Sequence, residues 1–282
     1  MSTPNITLQT ITRMSSLLNR DAIVWARANL DYLNSGNRLL GTSTKLEKGS
    51  DKYSSYVLYL QPADKVAART LCPMAELSGC KEACLITSGR LGMSSAQAAA
   101  TRRTVLMLIA PEYFEEKLLS EIDAAERKAL KTGIPALFRL NGTSDINFTH
   151  IIDQRPDSMF YDYSKLSAQL RRSAVRSNYD VTYSASMYSA RSKFELKLAV
   201  LRQDKIAVAF NTKGIKSDTL STQGLYSFDT TDLRHLDPRA TIGSLTSKGS
   251  NKAFRAREDV KEHSFFVTSA NVAEFNSIIA RG

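Results

Sequence analysis

The chain has 282 residues, 43% of them hydrophobic and 23% charged, a balance that supports a core for one or two domains and excludes a disordered chain. No run reaches the roughly 18 apolar residues of a membrane helix, and residues 1–19 lack the basic-then-apolar order of a secretory signal, so a soluble protein kept in the cytoplasm is expected. The net charge of +10 attracts polyanions by releasing their counterions, which makes a nucleic acid or nucleotide the expected partner.

In chain order, apolar Ile23, Val24, Ala26, Leu30 and Leu33 at helical spacing predict a helix over residues 21–33. Asn34-Ser35-Gly36-Asn37 stops it, and residues 41–51 read as a polar loop. Residues 56–60 form a β-rich run ending at Pro62. After a cysteine-bearing loop, residues 94–131 read as helix, broken at Pro111, with Phe114, Leu118, Ile122, Ala125 and Ala129 on one stripe. Gly133 and Pro135 close it. Further strands are expected at 136–140, 159–163, 180–184, 206–210 and 241–245, with helices at 166–177 and 190–202. Residues 214–238 read as irregular, able to hold a hairpin. A last β-like run covers 265–268, before a short final helix.

Strands alternating with helices argue for parallel βαβ units. Six such strands fit an α/β fold with a partial (βα)6 barrel-like parallel sheet behind an N-terminal helical preface. The chain then divides into a preface (1–50), a barrel-like body (51–250) and a C-terminal tail (251–282). Several strands run into polar residues, and parallel α/β folds build their sites at the carboxyl ends of strands. Helix caps favour the same residue types.

Cys72, Cys80 and Cys84 form a C-x7-C-x3-C array and are the only cysteines of the chain. An odd number in a cytoplasmic setting argues for metal rather than a disulfide. Structural zinc requires a fourth ligand, and only His150, His235 and His263 are available to supply it as histidine. Three thiolates alone suit a [4Fe–4S] cluster with one open iron, the arrangement that radical chemistry with S-adenosylmethionine uses. The usual spacing of such enzymes, C-x3-C-x2-C, is shorter than the one here.

The segment from Cys72 to Arg90, then Arg102, then Phe138-Arg139-Leu140-Asn141-Gly142-Thr143-Ser144-Asp145-Ile146, then Phe160-Tyr161-Asp162-Tyr163-Ser164-Lys165, resembles a bacteriophage family, the gene-88-type proteins. The resemblance runs from about Leu40 to about Lys248. It implies a phage origin, action in the cytoplasm of the infected host and a partial barrel. It implies no activity.

Asp145 and Asp162 end successive predicted strands and are candidate catalytic carboxylates, as general base or nucleophile. Asn141, Gly142, Thr143, Ser144, Tyr163, Lys165, Ser184 and Lys248 are candidate cofactor-binding residues, the lysines for phosphate or carboxylate. Tyr161, Tyr163 and Tyr183 sit where they can stack on a base. No phosphate-binding glycine loop is present, which argues against ATPase or dinucleotide-dependent roles. Three readings follow. The first is a radical S-adenosylmethionine-like iron–sulfur enzyme acting on a nucleotide, nucleic acid or protein. The second is a base-modifying transglycosylase with structural zinc, and the third a non-enzymatic nucleic-acid-binding protein.

Overall fold

The computed structural model describes residues 3–41, 52–81, 84, 86, 89–247 and 261–280. The chain forms two compact units, Met1–Pro73 with Arg90–Phe160, and Met74–Gly89 with Tyr161–Gly282. Neither unit is one continuous stretch.

The first unit contains helices α1 (Leu8–Arg13), α2 (Arg20–Ala28) and α3 (Leu30–Leu33), then strands β1 (Leu40–Gly41) and β2 (Ser54–Leu58). Helices α4 (Ser94–Ile109) and α5 (Pro111–Thr132), strand β3 (Ala136–Arg139), helix α6 (Thr149–Ile152) and the first residues of β4 (Met159–Ser164) complete it. The expected helix over 21–33 is present as two pieces. Asn19 Oδ1 caps α2 by accepting the Ala22 N–H at 2.9 Å. The expected break at Pro111 is also present: Ala110 adopts φ −141°, because the proline ring excludes helical geometry from the residue before it. Helix α5 buries Phe114, Leu118, Ile122 and Ala125, each worth on the order of 1–3 kcal/mol, and ends at left-handed Gly133.

Strands of this unit run in the order β1-β2-β3-β4. β1 is antiparallel to β2, while β2, β3 and β4 are parallel, with Ser54 opposite Ala136 and Leu137 opposite Met159. Tyr56 and Phe138 stack at 5.6 Å and Phe138 meets Phe160 at 5.5 Å, a ladder of rings across three strands. Arg102 lies 1% exposed inside this unit. Its guanidinium donates to Tyr32 O at 2.7 Å, Asn37 O at 3.2 Å and Leu33 O at 3.5 Å, and also to Ser35 O. It therefore caps the carbonyl end of α3, where unsatisfied C=O groups concentrate partial negative charge.

The second unit holds the rest of β4, then α7 (Ser167–Ala174), β5 (Tyr179–Ser184), α8 (Ala190–Leu201) and β6 (Ile206–Phe210). Helix α9 (Lys213–Gln223), β7 (Tyr226–Ser227), β8 (Ile242–Thr246) and α10 (Val272–Ile279) follow. Its strand order is β4-β5-β6-β8-β7. The described pairs are parallel, with Tyr183 opposite Ile206 and Ile206 opposite Ile242. Ile206-Ala207-Val208-Ala209-Phe210 is a near-continuous apolar run because both faces of a parallel strand are covered. Phe210 meets Phe275 of α10 edge-on at 5.7 Å.

The α/β class expected from the alternation is therefore correct, and the described residues form eight strands and ten helices. Three local expectations need correction. Residues 213–223 are a helix, capped by Thr212 at its start and by left-handed Gly224 at its end. Poor helix formers hid it, and packing on β6, β8 and α10 overrides them. Tyr226–Ser227 pairs with β8 in parallel, so that region contains no hairpin. Strands β1 and β7 raise six strands to eight; at two residues each, they are too short to show a period. The β-like run at 265–268 contributes a single parallel bridge, Val267 to Phe210. The loop expected at 41–51 lies outside the described residues beyond Gly41.

Candidate functional site

In the first unit, the polar segment after β3 folds around Asn141. Its Oδ1 accepts the Ile146 N–H and the Ser144 hydroxyl, both at 3.0 Å, while its Nδ2 donates to Ile146 O at 3.0 Å. Thr143 Oγ1 donates to Leu60 O at 2.5 Å, and the Gly142 N–H donates to Leu58 O at 3.0 Å. A Cβ on Gly142 would lie 2.6 Å from Val57 Cγ1 and 2.8 Å from Leu58 O, so the close approach to β2 requires glycine. Asn141, Gly142, Thr143 and Ser144 are thus brought together by these hydrogen bonds within the protein. Asp145 is buried, and its backbone N–H donates to Leu71 O at 2.9 Å. Arg139 reaches Gly142 O at 3.5 Å.

Cys72 stands beside this loop. Its Sγ accepts the Ala63 N–H at 3.4 Å and donates to Thr143 O at 3.7 Å. Cys80, in the second unit, donates to Ala75 O at 3.7 Å. None of the three cysteines is in a disulfide, and all are partly exposed. Among the described residues, no group of three or more His, Cys, Asp and Glu side chains is placed to hold a metal ion. Of the histidines, His150 pairs with Glu115 at 3.1 Å on the surface and His263 faces Lys193 at 3.4 Å. Burial lowers the pKa of His235, which packs 6.5 Å from the Tyr161 ring.

In the second unit, Lys165 and Ser184 meet at the carboxyl ends of β4 and β5. The ammonium donates to Ser184 Oγ at 2.9 Å and Ser184 O at 3.0 Å, and lies 4.6 Å from the centre of the Phe265 ring. Asp162 is 1% exposed and accepts the Tyr179 hydroxyl at 3.2 Å. Asp145 and Asp162 fall in different units. Tyr163 donates to Asp232 at 2.9 Å and Tyr161 to its other oxygen at 3.3 Å. The sequence reading missed Asp232, which lies 71 residues from Tyr161 in a segment without periodicity. Tyr161 and Tyr183 are buried, so neither ring is open for stacking; burial also raises the pKa of the Tyr183 phenol. Lys248 lies outside the described residues.

Four of the buried cations pair with carboxylates. Lys193 meets Glu274 at 2.6 Å and Arg234 meets Asp237 at 3.0 Å, while Lys205 pairs with Asp180 and Lys216 with Asp229. Burial raises the pKa of Asp229, but hydrogen bonds from Lys216 and Thr246 outweigh it and hold the carboxyl below its usual value. Arg102 is spent on carbonyls and so leaves the pool of cations a polyanion could meet. Exposed cations without an ion pair among the described residues include Arg13, Arg20, Arg27, Lys65 and Arg69, and Arg127, Lys128 and Lys131 near the end of α5, whereas Arg103 is partly buried with its Nε left without a hydrogen-bond partner.

A sequence model described as gene product 88 matches residues 32–262, most of the chain. The chain belongs to the gene product 88 family. No curated protein and no solved structure matches it. The gene product 88 match takes in the cysteine array and both strand-end segments, and leaves α1, α2 and α10 outside. Among the described residues of this family member, no helix is long and apolar enough to cross a membrane.

Proposed function

We propose that this phage-family protein binds nucleic acid through the phosphate backbone in the infected cell. One observation carries this reading: the deeply buried cations Lys193, Lys205, Lys216 and Arg234 each pair with a carboxylate, so among the described residues unpaired positive charge is left mainly to exposed side chains such as Arg13, Arg20, Arg27, Lys65 and Arg69. Surface Arg and Lys displace condensed counterions, which yields sequence-independent affinity that falls with salt. The test is fluorescence anisotropy of labelled DNA and RNA across a salt series. The expected result is a linear fall of log K with log salt, and a Kd of roughly 10⁻⁴–10⁻⁶ M at physiological salt. No binding at low salt overturns the proposal.

A second reading retains the cysteine array. Structural cysteines are ordinarily buried, whereas all three here are partly exposed and outside disulfides, which favours an iron–sulfur enzyme using S-adenosylmethionine. Cys72, Cys80 and Cys84 would hold the cluster, which would supply the electron that cleaves the cofactor. Anaerobic purification tests it: about four irons per chain with broad absorbance near roughly 400 nm supports it, and no metal after reconstitution rejects it.

A further inference from the structure

We propose that a basic face formed by α1, α2 and the segment 64–70 is the surface on which the phosphate backbone lies; this rests on the nucleic-acid reading above and names its site. Two backbone bonds stitch this face together. The Asn19 N–H donates to Val66 O and the Ala68 N–H to Leu17 O, both at 2.9 Å, around an antiparallel bridge of Leu18 with Ala67. Asn19 Nδ2 adds a bond to Asp64 O at 2.8 Å. The stitch runs antiparallel, so it sets Lys65 beside the start of α2 and Arg69 next to Leu17 on the α1 side, although both are more than forty positions away in the chain.

On α2 itself, Arg20, Val24 and Arg27 follow at i, i+4 and i+7, so they share one face, and all three point to solvent or its edge while Ala22 and Ala26 are buried opposite. Arg27 Nη2 donates to Thr12 Oγ1 at 3.4 Å, which ties that face to the end of α1, beside Arg13. Five exposed cations therefore converge, against Asp21 and Asp64 as the only carboxylates of the same segments. None of the five enters an ion pair among the described residues. Arg20 and Arg27 are about 10 Å apart along the helix axis, roughly three steps of a nucleic-acid strand at about 3.4 Å each. An anionic membrane is the other polyanion to consider. Helices α1 and α2 bury Ile11, Ala22 and Ala26 and expose Leu8 and Val24, with Leu17 between them, so neither helix presents the continuous apolar stripe that inserts into lipid.

The test compares three full-length proteins: wild type, a variant with Arg20→Gln, Arg27→Gln, Lys65→Gln and Arg69→Gln, and a control with Arg127→Gln, Lys128→Gln and Lys131→Gln. Thermal melts establish that each is folded. Binding to a labelled DNA duplex and to its single strand is read across salt, and sedimentation with phosphatidylserine vesicles is read alongside. The first variant is expected to lose at least about tenfold in affinity at low salt and to flatten the log–log slope by about three, with a smaller change in the control. Restoring charge with Arg20→Lys and Arg27→Lys in place of the two glutamines is expected to recover part of the slope. If wild type binds and the control loses more than the four-site variant, this face is wrong while nucleic-acid binding stands. If wild type ignores nucleic acid, the parent reading fails. Sedimentation with vesicles in place of nucleic-acid binding also overturns the proposal.

Discussion

Arg102→Met is expected to destabilise the first unit by about 3–5 kcal/mol, seen as a lower urea midpoint. The arginine is 1% exposed and gathers carbonyls from Tyr32, Leu33, Ser35 and Asn37 into one planar fork. Methionine fills much of the volume but donates nothing, so several carbonyls lose a charge-assisted partner, each bond worth on the order of 1.5–3 kcal/mol. Arg102→Lys should recover only part of the loss, because an ammonium is a point donor and cannot span four acceptors. A loss below about 1 kcal/mol for Arg102→Met would mean that water serves those carbonyls equally well.

Gly243→Ala in β8 is expected to cost the second unit about 3–5 kcal/mol. A Cβ there would lie 2.2 Å from three atoms of the Phe228 ring, well inside contact distance. The ring cannot simply withdraw. Phe228 is 1% exposed, and the Arg234 guanidinium carbon sits 3.7 Å from its centroid. Arg234 is held in turn by Asp237 at 3.0 Å and by Thr231 O at 2.8 Å. Adding Phe228→Leu should restore part of the stability, since a smaller side chain leaves room for the methyl; a double-mutant cycle on thermal midpoints reads the coupling. Additive losses would show that the clash is relieved by backbone movement instead.

These two sites also show what the sequence reveals and what it conceals. Pro111 and Gly133 announce their helix ends because their covalent geometry acts locally. The apolar run at 206–210 reads as a strand at its true length for the same local reason. Arg102 is different. In the sequence it is one more positive charge beside Arg103; only the fold shows that it serves the end of a helix some 70 positions earlier. Asn141 to Asp145 was legible as a polar strand end, but not as a loop that spends Asn141 on its own backbone. The Tyr161, Tyr163 and Asp232 group has no local signature, because both spacings are near 70 residues. The basic face has the same character: Arg20 and Lys65 become neighbours only through the stitch at Leu18 and Ala67.

Leu77 and Ser78, just before Cys80, are held by hydroxyls that come much later in the chain. Ser186 donates to Ser78 O at 2.8 Å, and Ser189 and Ser192 donate to Leu77 O at 2.7 and 3.1 Å, across separations of 108, 112 and 115 residues. On a ribosome moving at roughly 5–20 residues per second, Leu77 and Ser78 are made roughly 5–20 s before their partners. Cys80 and Cys84 spend that interval in a nascent segment without its anchoring donors. The time when these thiols are easiest to reach, for a metal donor or an oxidant, therefore falls during synthesis rather than after it.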